Sequence, residues 1–220
     1  KLNTRVGSDV SVAELERDFD CVFWGIGATS GRALSIPGGD APNCVDGISY
    51  LRAYNEGRLK YLEGRVLVIG AGDTAMDVVA VARRIGNIKN IPVKDKPENV
   101  ILGHTVHDVV SVAKRQGGDV WVVYRRPISK APATKHELES VIREGVEIHD
   151  SLAPMEVIKD DEGRAKALRV APVVWDDKGN MQIKEDEHFD IDCTLIVSAT
   201  GQTGDYAGIE EFDNGRGLMD

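Results

Sequence analysis

A three-layer α/β fold, in which a parallel sheet is flanked by helices and carries an added β-meander, is predicted by three observations. Residues 65–86 read RVLVIGAGDTAMDVVAVARRIG, a β-branched apolar run, a glycine turn and an amphipathic helix in direct succession. Two further apolar runs, 120–124 and 192–198, have the length and composition of strands buried on both faces. From residue 146 onward short strand-like segments alternate with Asp/Gly-rich turns, which is the pattern of a meander.

Composition bounds the function. The 220 residues suffice for a proper core and for one or two domains. Hydrophobic residues at 42% and charged residues at 29% are ordinary for a soluble globular protein. The net charge of −9 argues against nucleic acid or an anionic membrane as a general partner, and leaves room for a local basic pocket. No apolar run approaches the roughly 18 residues of a membrane span, and the start shows no signal-peptide pattern, so a cytoplasmic protein is expected. Three cysteines, Cys21, Cys44 and Cys193, lie far apart with no C-x-x-C pair. That fits reduced thiols and excludes a local zinc ribbon or a thioredoxin-type redox pair. Cys21 and Cys193 sit in apolar runs and read as packing residues.

Along the chain, Val12, Leu15 and Phe19 can form one face of a short helix. Residues 21–24 read as a buried strand ending in Gly25-Ile26-Gly27-Ala28, where glycines either admit another backbone or a ligand or simply mark the exit into a loop. Residues 35–47, rich in Pro, Gly and Asp, form a connector. A helix follows over 48–56, with Ile48, Leu51 and Tyr54 on its apolar side.

The central unit comes next. After the strand 66–69, Gly70-Ala71-Gly72 and then Ala75 give the spacing G-x-G-x-x-A. The first glycine permits the turn, the second lets backbone approach a pyrophosphate, and the small third residue lets helix and strand pack closely. The unpaired N–H groups and positive dipole end of the helix then face the phosphates. The other reading is a tight strand-to-helix turn that binds nothing.

About thirty residues intervene before the next convincing strand, where a βαβ unit usually needs only a few. Within them TVHDVVSVAKRQG, residues 105–117, echoes TAMDVVAVARRIG, residues 74–86, and residues 100–103 mimic the preceding strand end without its glycine turn. A local duplication explains this, as does coincidence between two Val/Ala-rich helices; in either case the second copy cannot cradle phosphate. Residues 87–96 read as a surface loop. His104, His107 and Asp108 would share a helix face, a spacing that can hold a metal but that a solvated helix start explains as well, and no metal site is assigned.

The strand 120–124 ends in Arg125-Arg126-Pro127. An acidic residue at this strand end suits a ribose 2′-hydroxyl, whereas paired arginines suit a 2′-phosphate and point to NADP(H). Two solvated arginines are the alternative, and Lys130 can add to the basic pocket. A helix follows over 135–143 with Leu138, Val141 and Ile142 inward, ended by Gly145. The meander is expected to comprise strands 146–149, 155–159, 167–175 and 181–184, with turns at 160–163 and 176–180 and a solvated loop at 185–187. Residues 192–198 are the final buried strand, and Ala199, Thr200, Gly201 and Gln202 form an exit that can meet a cofactor. The tail, 205–220, is acidic and weakly patterned.

Five segments, DFDCVFWGIGA, IPGGDAPNCVDGISYLR, GRVLVIGAGDTAMD, VVYRRPISKAPATKHELE and CTLIVSATGQ, resemble in that order the NADPH-binding half of glutamate synthase small subunits and their relatives, including the electron-entry portion of dihydropyrimidine dehydrogenase. The resemblance covers nearly the whole chain, and GAGDTAMD followed by YRR is its most specific part. It implies a Rossmann-like NADPH domain inserted into an FAD domain. NADPH would pass a hydride to the flavin, and electrons would leave through iron–sulfur clusters to a partner domain or large catalytic subunit. By this resemblance Gly70, Gly72, Asp73 and Thr74 hold the pyrophosphate and Arg125 and Arg126 the 2′-phosphate; Ala71 within the turn and Lys130 near the arginines join them as candidate cofactor-binding residues. Ala199, Thr200 and Gly201 lie on the nicotinamide side.

The same resemblance divides the chain into an FAD-domain flank (1–29), the NADPH domain (30–200, with an uncharacteristic insertion at 87–118) and a second flank (201–220). The family's earlier FAD glycine motif, its cluster cysteines and its final Gly-Asp segment are not among these residues, so the chain is expected to begin inside the FAD domain and stop before its end. Hydride transfer from NADPH to flavin depends on positioning, and no catalytic residue is assigned. Two other readings remain: a thioredoxin reductase-like flavoprotein, against which the absent C-x-x-C counts, and a non-catalytic NADP(H)-sensing module.

Overall fold

The computed structural model describes residues 1–93, 96–103, 118–176 and 178–215. These form two compact units, Lys1–Gly31 with Gly201–Asp220, and Arg32–Thr200. In chain order the elements are helix α1 (Val12–Asp18), strands β1 (Ser30–Gly31) and β2 (Cys44–Asp46), helix α2 (Gly47–Asn55), strands β3 (Tyr61–Leu62) and β4 (Arg65–Ile69) and helix α3 (Asp73–Arg84). Strand β5 (Gly86–Asn87), helix α4 (Pro97–Ile101), strand β6 (Asp119–Val123), helix α5 (Lys135–Arg143) and strands β7 (Glu147–His149), β8 (Leu152–Lys159) and β9 (Ala165–Trp175) follow. Strands β10 (Met181–Ile183), β11 (Phe189–Asp192), β12 (Leu195–Ser198) and β13 (Gln202–Thr203) complete the set.

In the smaller unit, Ser11 and Glu14 close a capping box on α1: the Glu14 amide donates to Ser11 Oγ at 3.2 Å and the Ser11 amide to the Glu14 carboxylate at 2.8 Å. Val12 and Leu15 are half-buried on one face of this helix. The Trp24 and Phe212 rings pack with centroids 5.2 Å apart, and β1 pairs antiparallel with β13.

The larger unit has three layers. Its centre is a parallel sheet in the order β2-β12-β4-β6-β7. Side chains alternate across a strand. Val66, Val68, Val120, Val122, Leu195 and Val197 therefore pack on one side against Tyr50 and Ala53 of α2, Met76, Val79 and Ala82 of α3 and Val141 of α5. On the other side Leu67, Ile69, Val123 and Ile196 pack against Leu152, Val157, Leu168, Val170 and Ile191 of the antiparallel layer β8-β9-β11, which β10 extends. Buried Asn43 ties the layers together: its amide donates to the carbonyls of Ala165 (2.9 Å) and Thr194 (2.8 Å), and its Oδ1 accepts from the Ala165 amide (2.7 Å).

Several expectations are corrected. Residues 21–24 form no strand; Phe23 is 92% exposed and Cys21 is exposed, so this cysteine is not a core packing residue. An apolar run becomes a strand only when a neighbour satisfies its backbone, and no described strand pairs there. The connector 35–47 contains β2, too short to show a period. Helix α2 buries Tyr50 and Ala53, and Tyr54 is largely outward; Ile142 on α5 is exposed as well. Val100 and Ile101 end α4, which opens on a proline, and Leu102 and Gly103 form the turn after it, so residues 100–103 are not a second strand end. The echoing segment 105–117 and His104, His107 and Asp108 lie outside the described residues. The stretch 87–96 is not purely a surface loop, since β5 pairs with β3 and Ile91 is buried. Strand β7 joins the parallel sheet beside β6 and is no part of the meander. Residues 192–198 split at Cys193-Thr194, where the chain passes from β11 in the antiparallel layer to β12 in the parallel one.

Candidate functional site

Strands β4, β6 and β12 end level with one another, Ile69 pairing with Val123 on one side and with Ser198 on the other. Their exits are bonded together: the Gly70 amide donates to Val123 O at 3.1 Å, and the Ala199 amide to Ile69 O at 2.9 Å. Gly70 has φ +128°, and a β-carbon there would stand 2.4 Å from the Ala199 carbonyl oxygen. Only glycine fits this turn. Ala71 is buried, and its carbonyl accepts from the Ala133 amide at 3.1 Å, which seats the start of α5 beside the loop.

Gly72 is the N-cap of α3, in extended conformation, and no side chain caps the helix there. Among the described residues nothing lies within 4 Å of where a β-carbon on Gly72 would stand, so they leave space open beside the start of this twelve-residue helix. Ala75 is fully buried, as close packing of α3 on β4 requires. Asp73 and Thr74 form the first turn, Asp73 exposed and Thr74 half-buried. One turn on, burial raises the Asp77 carboxyl above its ordinary value, and the neighbouring charges of Glu137 and Asp73 push it the same way.

The basic side of the edge follows β6. Arg125, Arg126 and Lys130 are exposed on a braced loop. The Tyr124 amide donates to His149 O (3.0 Å) and its carbonyl accepts from the Leu152 amide (3.1 Å), while the Ser151 amide donates to Arg126 O (3.2 Å). The Ile128 amide donates to the Asp150 carboxylate, and the Tyr124 hydroxyl to Lys130 O at 3.0 Å. The Arg126 guanidinium carbon lies 5.6 Å from the Trp175 ring centroid. At the end of β12, buried Ser198 Oγ sits 3.2 Å from the hydroxyl of exposed Thr200. Gly201 is the next residue and opens the second segment of the smaller unit.

The sequence-predicted residues Gly70, Ala71, Gly72, Asp73, Thr74 and Ala199 thus share one edge of the parallel sheet, and Arg125, Arg126 and Lys130 occupy the loop leaving its next strand. The bracing by Tyr124, Ala133, Asp150, Ser151 and Trp175 is not legible in any motif; an Asp-Ser turn after residues 146–149 is its faint local signal. Burial pushes the thiols of Cys44 and Cys193 up to about 12, which leaves them poor nucleophiles. Among the described residues no group of three or more His, Cys, Asp or Glu can hold a metal, and no helix is long and apolar enough to cross a membrane.

A family model described as "Pyridine nucleotide-disulphide oxidoreductase" matches residues 3–218. The chain is similar to the NADP(+)-dependent formate dehydrogenase subunit beta of Moorella thermoacetica, 28% identical over 95% of this chain and 26% of that protein. It is similar also to the glutamate synthase [NADPH] small chain of Azospirillum brasilense, 27% identical over 90% of this chain and 38% of that protein. The chain therefore spans between about a quarter and two fifths of these relatives. The solved structure of Mycobacterium tuberculosis FprA in complex with NADPH shares the fold, with a TM-score of 0.69 at 21% identity over 99% of this chain and 58% of that one.

Proposed function

Because the chain belongs to the pyridine nucleotide-disulphide oxidoreductase family, we propose that it is the NADPH-binding part of a flavin-dependent oxidoreductase that feeds an iron–sulfur partner, as glutamate synthase small subunits do. The observation that carries this reading is the open N-terminus of α3 on the same sheet edge as the arginine loop. One end offers space that the described residues leave open at Gly72, and the other offers two guanidinium groups and an ammonium.

These residues fit a 2′-phosphorylated dinucleotide. The turn at Gly70 to Gly72 and the first amides of α3 would receive the pyrophosphate, because partial positive charge gathers at that helix end. Asp73 and Thr74 would line the same turn. Arg125 and Arg126 would hold the 2′-phosphate through charge-assisted bonds, with Lys130 adding charge. Ala199 and Thr200 would border the nicotinamide side, where small side chains admit a flat ring. Bound NADPH supplies a hydride, which leaves this chain the work of binding and orientation without proton transfer.

FAD is proposed to belong to a domain to which Lys1–Gly31 and Gly201–Asp220 contribute, and the electron acceptor to be an iron–sulfur domain or subunit. The names "subunit beta" and "small chain" of the relatives support a multi-subunit setting. The raised thiols of Cys44 and Cys193 speak against dithiol chemistry by this chain's own buried cysteines. The experiment is a calorimetric titration of the 220-residue chain with NADPH and NADH side by side. Tighter NADPH binding is expected; equal affinity for the two would overturn the cofactor assignment.

A further inference from the structure

The Arg126 side chain is held in an unusual way for a surface cation. Among the described residues no carboxylate lies within ion-pair distance of it, and the contact its guanidinium makes is with the face of Trp175, 5.6 Å from the ring centroid. A carboxylate partner would neutralise the charge and compete with an incoming phosphate. An aromatic face does neither: it orients the guanidinium plane and leaves its in-plane donors available. The indole Nε1 is buried and has no hydrogen-bond partner among the described residues, so the ring face is what Trp175 contributes.

Ring and arginine also hang from the same turn. The Ser151 amide donates to Arg126 O at 3.2 Å, and the Ser151 carbonyl accepts from the Val173 amide, two residues before Trp175, at 2.8 Å. Ser151 itself sits at φ +56°, a conformation few non-glycine residues adopt. The end of β9 and the loop after β6 are thereby held by one residue. Resting on the reading of this loop as the seat of the 2′-phosphate, we propose that Trp175 is a specificity-determining positioning residue, through which the antiparallel layer aims Arg126 at a 2′-phosphorylated dinucleotide.

The test is calorimetric titration of the 220-residue chain and its W175A, W175F, R126A and R126A/W175A variants with NADPH and with NADH. W175A is expected to weaken NADPH binding roughly two- to five-fold, the range of an exposed cation–π contact, with NADH affinity unchanged. W175F, which keeps an aromatic face, is expected to retain most of the preference, and W175A to add nothing once Arg126 is gone. In the ligand-free chain the Arg126 side-chain resonances are expected to lose a ring-current shift in W175A. If R126A lowers the NADPH preference but W175A leaves it unchanged, or weakens both cofactors alike, the role of Trp175 is overturned and the 2′-phosphate reading survives. If R126A leaves the preference unchanged, both fall.

Discussion

Gly70 and Ala199 meet backbone to backbone, so closely that a β-carbon on the glycine would stand 2.4 Å from the alanine's carbonyl oxygen. The positive φ of +128° adds strain for any other residue. Gly70→Ala is expected to destabilise the fold by roughly 2–4 kcal/mol, combining backbone strain with overpacking. Urea unfolding followed by tryptophan fluorescence reads this directly, and a wild-type midpoint would contradict it.

Gly72→Ala separates binding from folding. The added methyl enters open space and the backbone is already extended, so the cost to the fold is that of a poorer N-cap, about 1 kcal/mol. That same space is where the pyrophosphate is proposed to lie. NADPH affinity is expected to fall about tenfold or more, the equivalent of one lost backbone approach. Unchanged affinity in calorimetry would remove the phosphate from this turn.

Arg125→Ala combined with Arg126→Ala is expected to cost NADPH binding about 1.5–3 kcal/mol, the worth of charged hydrogen bonds, and to leave NADH binding as it was. The two affinities, measured on one preparation, give the answer without reference to flavin.

Arg164 forms an ion pair with Glu98, which is only 1% exposed. Removing one partner strands the other, so Arg164→Met is expected to cost about 3–5 kcal/mol. Replacing both, E98L with R164M, is expected to recover most of that loss, because the desolvation penalty leaves with the charges. Denaturant midpoints of the two singles and the double form the cycle.

Glu63 responds to acid. Burial raises its carboxyl, but Lys96 at 2.8 Å and the amides of Asn90 and Ile91 outweigh burial and hold it below its ordinary value of 4.5. A lowered folded-state value means that the ionised form stabilises the fold: the contribution is full above that ordinary value and vanishes as pH falls through the lower one. Glu63→Gln is expected to cost about 1 kcal/mol at neutral pH and progressively less as the pH is lowered below 4.5 toward 3. Urea unfolding at both values tests the sign.

What was legible in the sequence follows from how far apart the deciding residues lie. The unit around Gly70 was legible because strand, turn and helix occupy contiguous residues and each carries its own period. The candidate residues that the structure brings to one sheet edge stand in the sequence as short strings of glycine or arginine. Partnership was not legible: residues 21–24 have the composition of a buried strand but no neighbour, while β2, three residues long, has a neighbour but no pattern. Asp150, Ser151 and Trp175 brace the arginine loop from positions remote in the chain, and no local rule connects them to Arg126. The switch of layers at Cys193-Thr194 was hidden because both sides of it are apolar.

The ribbon formed by β1 and β13 bears on how the chain is connected. Ser30 pairs with Thr203 and Gly31 with Gln202, antiparallel, so the chain leaves for Arg32 and returns from Thr200 at neighbouring points. An element whose entrance and exit lie side by side can be cut out at one loop and spliced into another without opening its sheet. The unit Arg32–Thr200 is thus joined to the rest of the chain through the two strands of one short ribbon.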